Sequence, residues 1–483
     1  MTVDPRQLPR SVRYGAVLTV NMFVFMGNMY SAGLATAFSS LAEDLEVSYA
    51  KLSGLVTWSV LSMGLANLFW MPCALCFGKR PVVLVSMAMF LGGTIWSAVA
   101  PGYNSLLASR VFASVGYGSI ESLGPSILAD LFYERHYASA MAVFAAFLSA
   151  GSQVGPMIAG YLVTARGWRW FFYLCSILTG ANLLTTIFFL PETLYEPDVD
   201  ETTMLQEGDA DREKDTYAHV ERTQASAMAL DGSVSHWKSL YTVSLSRAAK
   251  EKGVFRHFAT LFVLPLPLLI IPGVLLASIM YGVVLGGTVA ISTLLADLLS
   301  PPPYLFSAAD IGLFTFTSFI GILIAWPIAG PLTDLLSRML RSRNNGVHKP
   351  EHRLPALLVP FLICPAGLVV FGYTMAREES YLRLAVGVAM STAALALVPA
   401  VMLAYVVDAY PAVSGEALVL VNASKNIVAF GLAKGAVPWM ESHGVGRMFY
   451  EMAGIEWAVL LLALPLYFAG PSIRSRMMGM FDK

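Results

Sequence analysis

Apolar residues occur along this chain in long continuous blocks, and not in the alternation that is typical of half-buried helices or strands. A helix that crosses a hydrocarbon layer of about 30 Å needs about 20 apolar residues. The blocks therefore predict an all-α membrane protein with twelve transmembrane helices. The predicted spans lie near residues 14–38, 53–77, 82–100, 105–129, 138–163, 170–190, 270–293, 307–329, 355–375, 382–407, 414–437 and 448–470.

A polar segment, residues 191–257, separates the first six spans from the last six. It contains thirteen acidic and eight basic residues and few large apolar side chains. Such a segment cannot bury a core, so it is predicted to be a largely disordered linker. The predicted organisation is a cytoplasmic N-terminus (1–13), an N-terminal six-helix bundle (14–190), the acidic cytoplasmic linker (191–257), a C-terminal six-helix bundle (258–470) and a cytoplasmic tail (471–483).

The composition agrees with this fold class, since 56% of the residues are hydrophobic and 13% are charged. Soluble domains contain about 25% charged residues. Soluble enzymes and nucleic-acid-binding proteins are therefore disfavoured. Short segments on the side of the N-terminus hold fourteen Lys and Arg residues, against seven on the opposite side. This bias predicts that both termini and the linker are cytoplasmic.

Charged residues in the fourth span are the first candidates for function. Each charge at bilayer depth costs roughly 2.5 to 3.5 kcal/mol, so it faces a protein interior or a water-filled cavity. Arg110 and Glu121 lie about 20° apart on the helical wheel, with Ser114 and Tyr117 on the same stripe. Glu121 is the best candidate for a proton carrier. The alternative is that Arg110 and Glu121 are polar packing groups that substrate never contacts.

Polar residues on two further spans extend the same pattern. Lys425 lies near the middle of the eleventh span, with Asn422 and Asn426 close to it on the helix surface. Asn21 and Asn28 share one face of the first span. These stripes predict a shared aqueous cavity between the two halves. Lys425 either lines that cavity or pairs with another helix, and Glu456 of the last span is placed at the membrane rim in preference to the interior.

Glycines in the fifth span predict a close helix crossing. Gly151, Gly155 and Gly160 recur at helical spacing, and Pro156 removes one backbone donor and permits a kink. At these residues the sequence resembles the major facilitator superfamily, in particular its fungal twelve-span drug:proton antiporter branch, which includes polyamine and mycotoxin exporters. The resemblance covers essentially the whole chain. Ala159 replaces one glycine of that branch's fifth-helix motif.

Other motifs of that family are also matched. The fourth-helix Arg motif corresponds to residues 106–118, with Arg110 in the Arg position. The loop motif after the eighth span is matched by Gly330, Asp334 and Arg338, and the resemblance makes these gating residues. In the first half, Leu75 stands where that motif has Asp, so this loop lacks the acid of an Asp-based latch. The paired motifs imply the pseudo-twofold repeat of such transporters.

The resemblance implies a proton-coupled secondary transporter of the plasma membrane that exports a drug, toxin or secondary metabolite by alternating access. Glu121 would exchange a proton, Arg110 and Lys425 would set the local potential, and the Asn residues would bind the substrate. Expected partners are the lipid bilayer, a small organic substrate and protons, with no nucleic acid and a monomeric state. Two alternatives are uptake of a cationic solute such as a polyamine, and a non-transporting membrane sensor.

No nucleotide-binding loop or enzyme cofactor fingerprint occurs in the sequence. The seven His residues are scattered, with none central to a span. We therefore expect no enzyme activity, no cofactor and no metal site.

Overall fold

The computed structural model describes residue 5 and residues 8–132, 134–194, 253–343 and 349–481. Within these ranges all regular secondary structure is helical. Most of the predicted linker lies outside the described residues. Below, the first half means residues 8–194 and the second half means residues 253–481.

The first half contains six helical units. The first consists of α1 (Arg10–Gly33), a 3₁₀ turn (Leu34–Ala37) and α2 (Phe38–Leu45). The others are α3 (Tyr49–Phe77), α4 (Lys79–Ala98), α5 (Tyr103–Leu131), α6 (Glu134–Arg166) and α7 (Arg169–Phe189).

The second half begins with a short helix, α8 (Val254–Val263), and six longer units follow it. They are α9 (Pro272–Leu299); α10 (Ala308–Phe314) with α11 (Phe316–Arg343); a 3₁₀ segment (Pro350–Leu357) with α12 (Leu358–Ala376); α13 (Tyr381–Thr392) with α14 (Ala394–Ala409); α15 (Ser414–His443); and α16 (Val445–Leu461) with α17 (Ala463–Phe481).

Each predicted span falls on one of these twelve units. In the described part of the chain, eleven helices are long and apolar enough to cross a membrane. The remaining unit, α5, is as long as α3, with 29 residues. Its Ser, Gly and charged residues lower its mean hydropathy. The last helix continues to Phe481, past the predicted end of the twelfth span at residue 470. The division of the chain into separate bundles and a tail stays a prediction.

Glycines set the closest crossings in both halves. Gly151 and Gly155 of α6 lie against the backbone of α1, where a β-carbon on Gly155 would come 2.7 Å from the carbonyl oxygen of Met29. A β-carbon on Gly160 would overlap the carbonyl oxygen of Ala308 at the start of α10. Helix α6 therefore contacts both halves through bare backbone, which only glycine permits at this separation.

Packing between the halves is extensive at the end of the bundle where α1 finishes, which we call the far side. The opposite end, where α1 begins, is the terminus side. One buried apolar cluster joins both halves on the far side, with Phe38 and Leu41 in the same core as Leu294, Leu295 and Leu299. The far side is thus closed by packed side chains.

Candidate functional site

A cavity of about 1010 Å³ lies between the two halves. Its volume is at the upper end of the range of sites for drug-sized ligands. Its wall is mostly apolar and aromatic, with a few polar side chains that converge near the middle of the helices. The aromatic lining residues are Phe25, Phe144, Phe147, Tyr281, Phe319 and Trp326.

An ion pair between the halves stands in this wall. Oε2 of Glu121 on α5 lies 3.5 Å from Nζ of Lys425 on α15, and both side chains are less than a tenth exposed. Nζ of Lys425 also donates to the hydroxyl oxygen of Tyr281 on α9 at 3.4 Å and lies 4.5 Å from the centre of its ring. The two buried charges compensate each other, as their depth in the membrane requires.

Glycines bring these helices close enough for the pair to form. A β-carbon on Gly118 of α5 would lie 2.9 Å from the carbonyl oxygen of Met63 on α3. A β-carbon on Gly282 of α9 would lie 2.8 Å from the carbonyl oxygen of Lys425 itself. The backbones that carry Glu121, Lys425 and Tyr281 are therefore fixed by close packing beside the ion pair.

Amide groups line the cavity near the ion pair. Nδ2 of Asn28 donates to the carbonyl oxygen of Val24 at 2.9 Å, and Nδ2 of Asn426 donates to that of Asn422 at 3.0 Å. Each side-chain amide thus donates to a carbonyl oxygen of its own helix. Oδ1 of Asn426 is buried and has no hydrogen-bond partner among the described residues. Asn28, which is half-buried and lines the cavity, is the amide that the wall offers to a ligand.

Arg110 does not line the cavity. Its guanidinium is fully buried and donates to three backbone carbonyl oxygens, those of Tyr30 (3.1 Å), Ser31 (3.1 Å) and Leu55 (2.9 Å). Arg110 shares a helical stripe with Glu121, but it lies at a level of α5 where that stripe faces α1 and α3. Its predicted part in proton coupling stays a prediction, and its contacts tie three helices together.

Three further residues of the predicted cavity set lie behind its wall. Asn21, Ser114 and Tyr117 are buried and do not line the cavity. Tyr117 packs edge-on against Phe90, with ring centres 5.4 Å apart. They lie there because α5 and α1 pack against neighbouring helices over part of their length, and a role in substrate binding stays a prediction. Asn28, Glu121, Asn422, Lys425 and Asn426 do line the cavity.

The loop between α3 and α4 has an acidic partner, Glu192, that is distant from it in the sequence. Leu75 stands where Asp was expected, but both carboxylate oxygens of Glu192 accept backbone N–H groups, of Lys79 at 2.9 Å and of Arg80 at 3.2 Å. Nζ of Lys79 also pairs with Asp130 at 2.5 Å. Burial raises the pKa of Glu192, and its bonds to backbone N–H groups oppose that rise. Glu192 thus caps the first turn of α4.

The corresponding loop of the second half holds a charged network. Arg353 donates through Nη1 to Asp334 at 3.2 Å and through Nε to Asp408 at 2.7 Å. Gly330 lines the cavity, and Arg338 makes no ion pair in the part of the chain that the structure describes. Arg353 was not singled out from the sequence, because a basic residue in a loop looks like any other there. The gating role of Gly330, Asp334 and Arg338 stays a prediction.

Comparisons with known proteins agree with this architecture. The model of the Major Facilitator Superfamily matches residues 18–433. The chain is 26% identical to the MFS transporter cpaT of Aspergillus oryzae, over 94% of this chain and 86% of that protein. It is 23% identical to the MFS antiporter QDR3 of Candida albicans, over 98% of this chain and 80% of that protein.

Among solved structures, a partially occluded inward-open conformation of the xylose transporter XylE from E. coli matches with a TM-score of 0.65. That match covers 95% of this chain and 97% of the transporter, at 13% identity. At this identity the likeness concerns the fold alone. It confirms the predicted all-α, multi-span membrane fold.

Proposed function

Because the chain belongs to the major facilitator superfamily, it is a multi-pass membrane transporter and not an enzyme, and we propose that it exports a small organic molecule in exchange for protons. The exported molecule is a drug, toxin or secondary metabolite. The chain acts at the plasma membrane with both termini cytoplasmic, and it belongs to the drug:proton antiporter branch of the family. Transport proceeds by alternating access, with the two halves rocking about the central cavity.

The observation that carries this proposal is the ion pair between Glu121 and Lys425. The two residues lie on helices of opposite halves, and both line the cavity. A proton on Glu121 removes its charge and weakens the pair, so the link between α5 and α15 loosens. Proton binding at one cavity residue thereby changes the contact between the halves, as a coupled transporter requires.

The cavity wall supports an organic substrate. Aromatic and apolar side chains can pack against the body of such a molecule, and a few polar groups can fix its orientation. A substrate with N–H or O–H donors can bind the oxygens of Glu121 and Asn28, which line the cavity. A proton on Glu121 removes the strongest of these acceptors, so proton and substrate compete. Competition of this kind gives exchange in opposite directions.

Helix α6 supports the rocking of one half against the other. Pro156 lines the cavity, and its carbonyl oxygen faces Gly312 of α10, where a β-carbon would come within 2.6 Å. The missing backbone donor at Pro156 allows α6 to bend between its contact with α1 and its contact with α10. The description of one relative as an antiporter also favours exchange.

The test begins by identifying the substrate. Metabolites in the medium of cells that express the chain are compared with those of cells that do not. The compound that accumulates outside is then loaded into proteoliposomes that contain the purified chain, and its flux is recorded under an imposed pH gradient for the wild type and for Glu121→Gln. An exposed acid, Glu43, provides the matched control Glu43→Gln.

We expect the pH gradient to drive flux in the wild type and in Glu43→Gln, and to have no effect on flux in Glu121→Gln. Gradient-driven flux that continues undiminished in Glu121→Gln would exclude Glu121 as the proton carrier. Accumulation of a polyamine in the expressing cells would instead support the uptake of a cationic solute.

A further inference from the structure

Glu456 is a carboxyl group inside the second half, away from the cavity. The sequence favours the membrane rim for this residue, but its side chain is 1% exposed, in the interior of α16. Its Oε2 atom has no hydrogen-bond partner among the described residues. It does not line the cavity. Nothing in the proposed transport cycle uses this carboxyl group.

The surroundings of Glu456 are small and apolar. A β-carbon on Gly287 of α9 would lie 3.1 Å from Oε1 of Glu456 and 3.7 Å from the sulfur of Met452. The titratable group that faces the carboxyl is the buried thiol of Cys364 on α12. In the described part of the chain, α9, α12, α15 and α17 bring no charged side chain within ion-pair distance.

A carboxylate in such surroundings is shielded from bulk solvent, and no cation lies within ion-pair distance among the described residues. Buried acids of this kind take up a proton, because the neutral carboxylic acid is far less costly to bury than the ion. We propose that Glu456 is a second proton-binding site of the transporter, separate from Glu121, and that its proton keeps α9 and α16 in contact. The ligand of this site is the proton itself.

Helix α9 connects this site to the cavity. On one face, Tyr281 accepts a hydrogen bond from Lys425, and Gly282 lies against the Lys425 backbone. On another face, Gly287 lies against Glu456, and the next residue, Thr288, lines the cavity. If the proton of Glu456 leaves to water, the carboxylate must reach water as well. The contact between α9 and α16 then opens, and α9 moves relative to the ion pair.

Infrared spectroscopy tests the protonation directly. The purified, substrate-free full chain in lipid nanodiscs is titrated from neutral to alkaline pH, and the carbonyl stretch of protonated carboxylic acids is recorded. We expect this band in the wild type at neutral pH, its loss at alkaline pH, and a decrease by the intensity of one carboxyl group in Glu456→Gln. The exposed-acid variant Glu43→Gln should keep the full band.

If the wild-type spectrum lacks the band at neutral pH, that measurement alone overturns the proposal. A band of equal intensity in the wild type and in Glu456→Gln would overturn it as well. If Glu456→Gln does not fold, Glu456→Leu replaces it, since an apolar side chain suits a site built for a neutral group. If both variants fail to fold, the wild-type spectrum decides alone: a band present at neutral pH and lost at alkaline pH supports the proposal, and its absence at neutral pH overturns it.

Transport gives a second readout. Substrate counterflow at rising pH should decline in the wild type and persist in Glu456→Gln, since the glutamine cannot ionise. An unchanged alkaline decline in Glu456→Gln would contradict the proposal. The infrared titration needs no substrate, so it remains valid if Glu121 is not the proton carrier. In the same way, the flux test of Glu121 remains valid if Glu456 does not bind a proton.

Discussion

The guanidinium carbon of Arg110 lies 4.7 Å from the centre of the Tyr30 ring, and its Nη1 donates to the Tyr30 carbonyl oxygen at 3.1 Å. The charge of Arg110 is thus shared between an aromatic face and backbone carbonyl groups of α1 and α3. All of these contacts are internal to the first half. They assign Arg110 a role in holding α5 in place beside the cavity.

We expect Arg110→Lys to destabilise the protein and to leave the proton-to-substrate ratio unchanged. A lysine cannot reproduce three separate hydrogen bonds, and each bond to a charged group contributes about 1.5–3 kcal/mol. Thermal unfolding in detergent and flux under a pH gradient measure the two effects. Arg447→Lys is the control, since that side chain is 69% exposed. A changed ratio with unchanged stability would instead support the predicted part of Arg110 in proton coupling.

The number and position of the helices could be predicted from the sequence because the thickness of the bilayer fixes the length of an apolar block. The neighbouring helices that each helix packs against could not be predicted in this way. Arg110 and Glu121 share a stripe, yet one faces backbone carbonyls and the other the cavity, because α5 changes neighbours along its length. Tyr281, in an apolar block, gave no signal that Lys425 would reach it. Glu456 was placed at the rim because helix ends are the least certain feature of such patterns.

Lys425→Gln should destabilise the protein more than the double variant Glu121→Gln/Lys425→Gln. Removing one partner of a buried ion pair leaves an uncompensated charge, at a cost of about 3–5 kcal/mol, whereas neutralising both removes that cost. Thermal unfolding of the wild type, both single variants and the double variant forms a double-mutant cycle. Additive effects of the two substitutions would show that the two side chains do not interact.

Arg353→Gln should reduce transport strongly while lowering stability little. Its ion pairs with Asp334 and Asp408 are partly exposed, and such pairs contribute about 0–1 kcal/mol to folding. They do, however, join α11, α14 and the segment before α12, so the predicted gate at this loop would depend on them. Arg256→Gln is the matched control because Arg256 of α8 is exposed and forms no ion pair among the described residues. Equal loss of flux in the two variants would argue against the network and for a general effect of charge.

Glu192 should make stability depend on pH with a defined sign. Burial raises its pKa above the ordinary value of 4.5, so the folded chain holds this proton more tightly than the unfolded chain. Stability relative to Glu192→Gln is then greatest below the ordinary pKa and declines as the pH rises through the raised one. Melting temperatures of both proteins over that pH range measure the difference. If the stability advantage of the wild type over Glu192→Gln instead grows with pH, the backbone N–H groups affect the pKa of Glu192 more strongly than burial does.

Gly160→Ala should prevent the closed far side from forming. The added methyl group would overlap the carbonyl oxygen of Ala308, and a backbone atom cannot rotate away as a flexible side chain can. Alanine is otherwise better than glycine in a helix by about 1 kcal/mol, so helix propensity alone predicts stabilisation. The two effects oppose each other, and the overlap should dominate. We therefore expect a lower melting temperature and a loss of flux in Gly160→Ala.

Gly431→Ala isolates the propensity effect, because a β-carbon on Gly431 of α15 would meet nothing within 4 Å. This variant should keep its flux and melt at the same temperature as the wild type or slightly higher. The accessibility of a cysteine introduced at Thr36, which lines the cavity next to the far-side cluster, should increase in Gly160→Ala and stay low in Gly431→Ala. Low accessibility in both variants would show that the contact between α6 and α10 does not hold the far side closed.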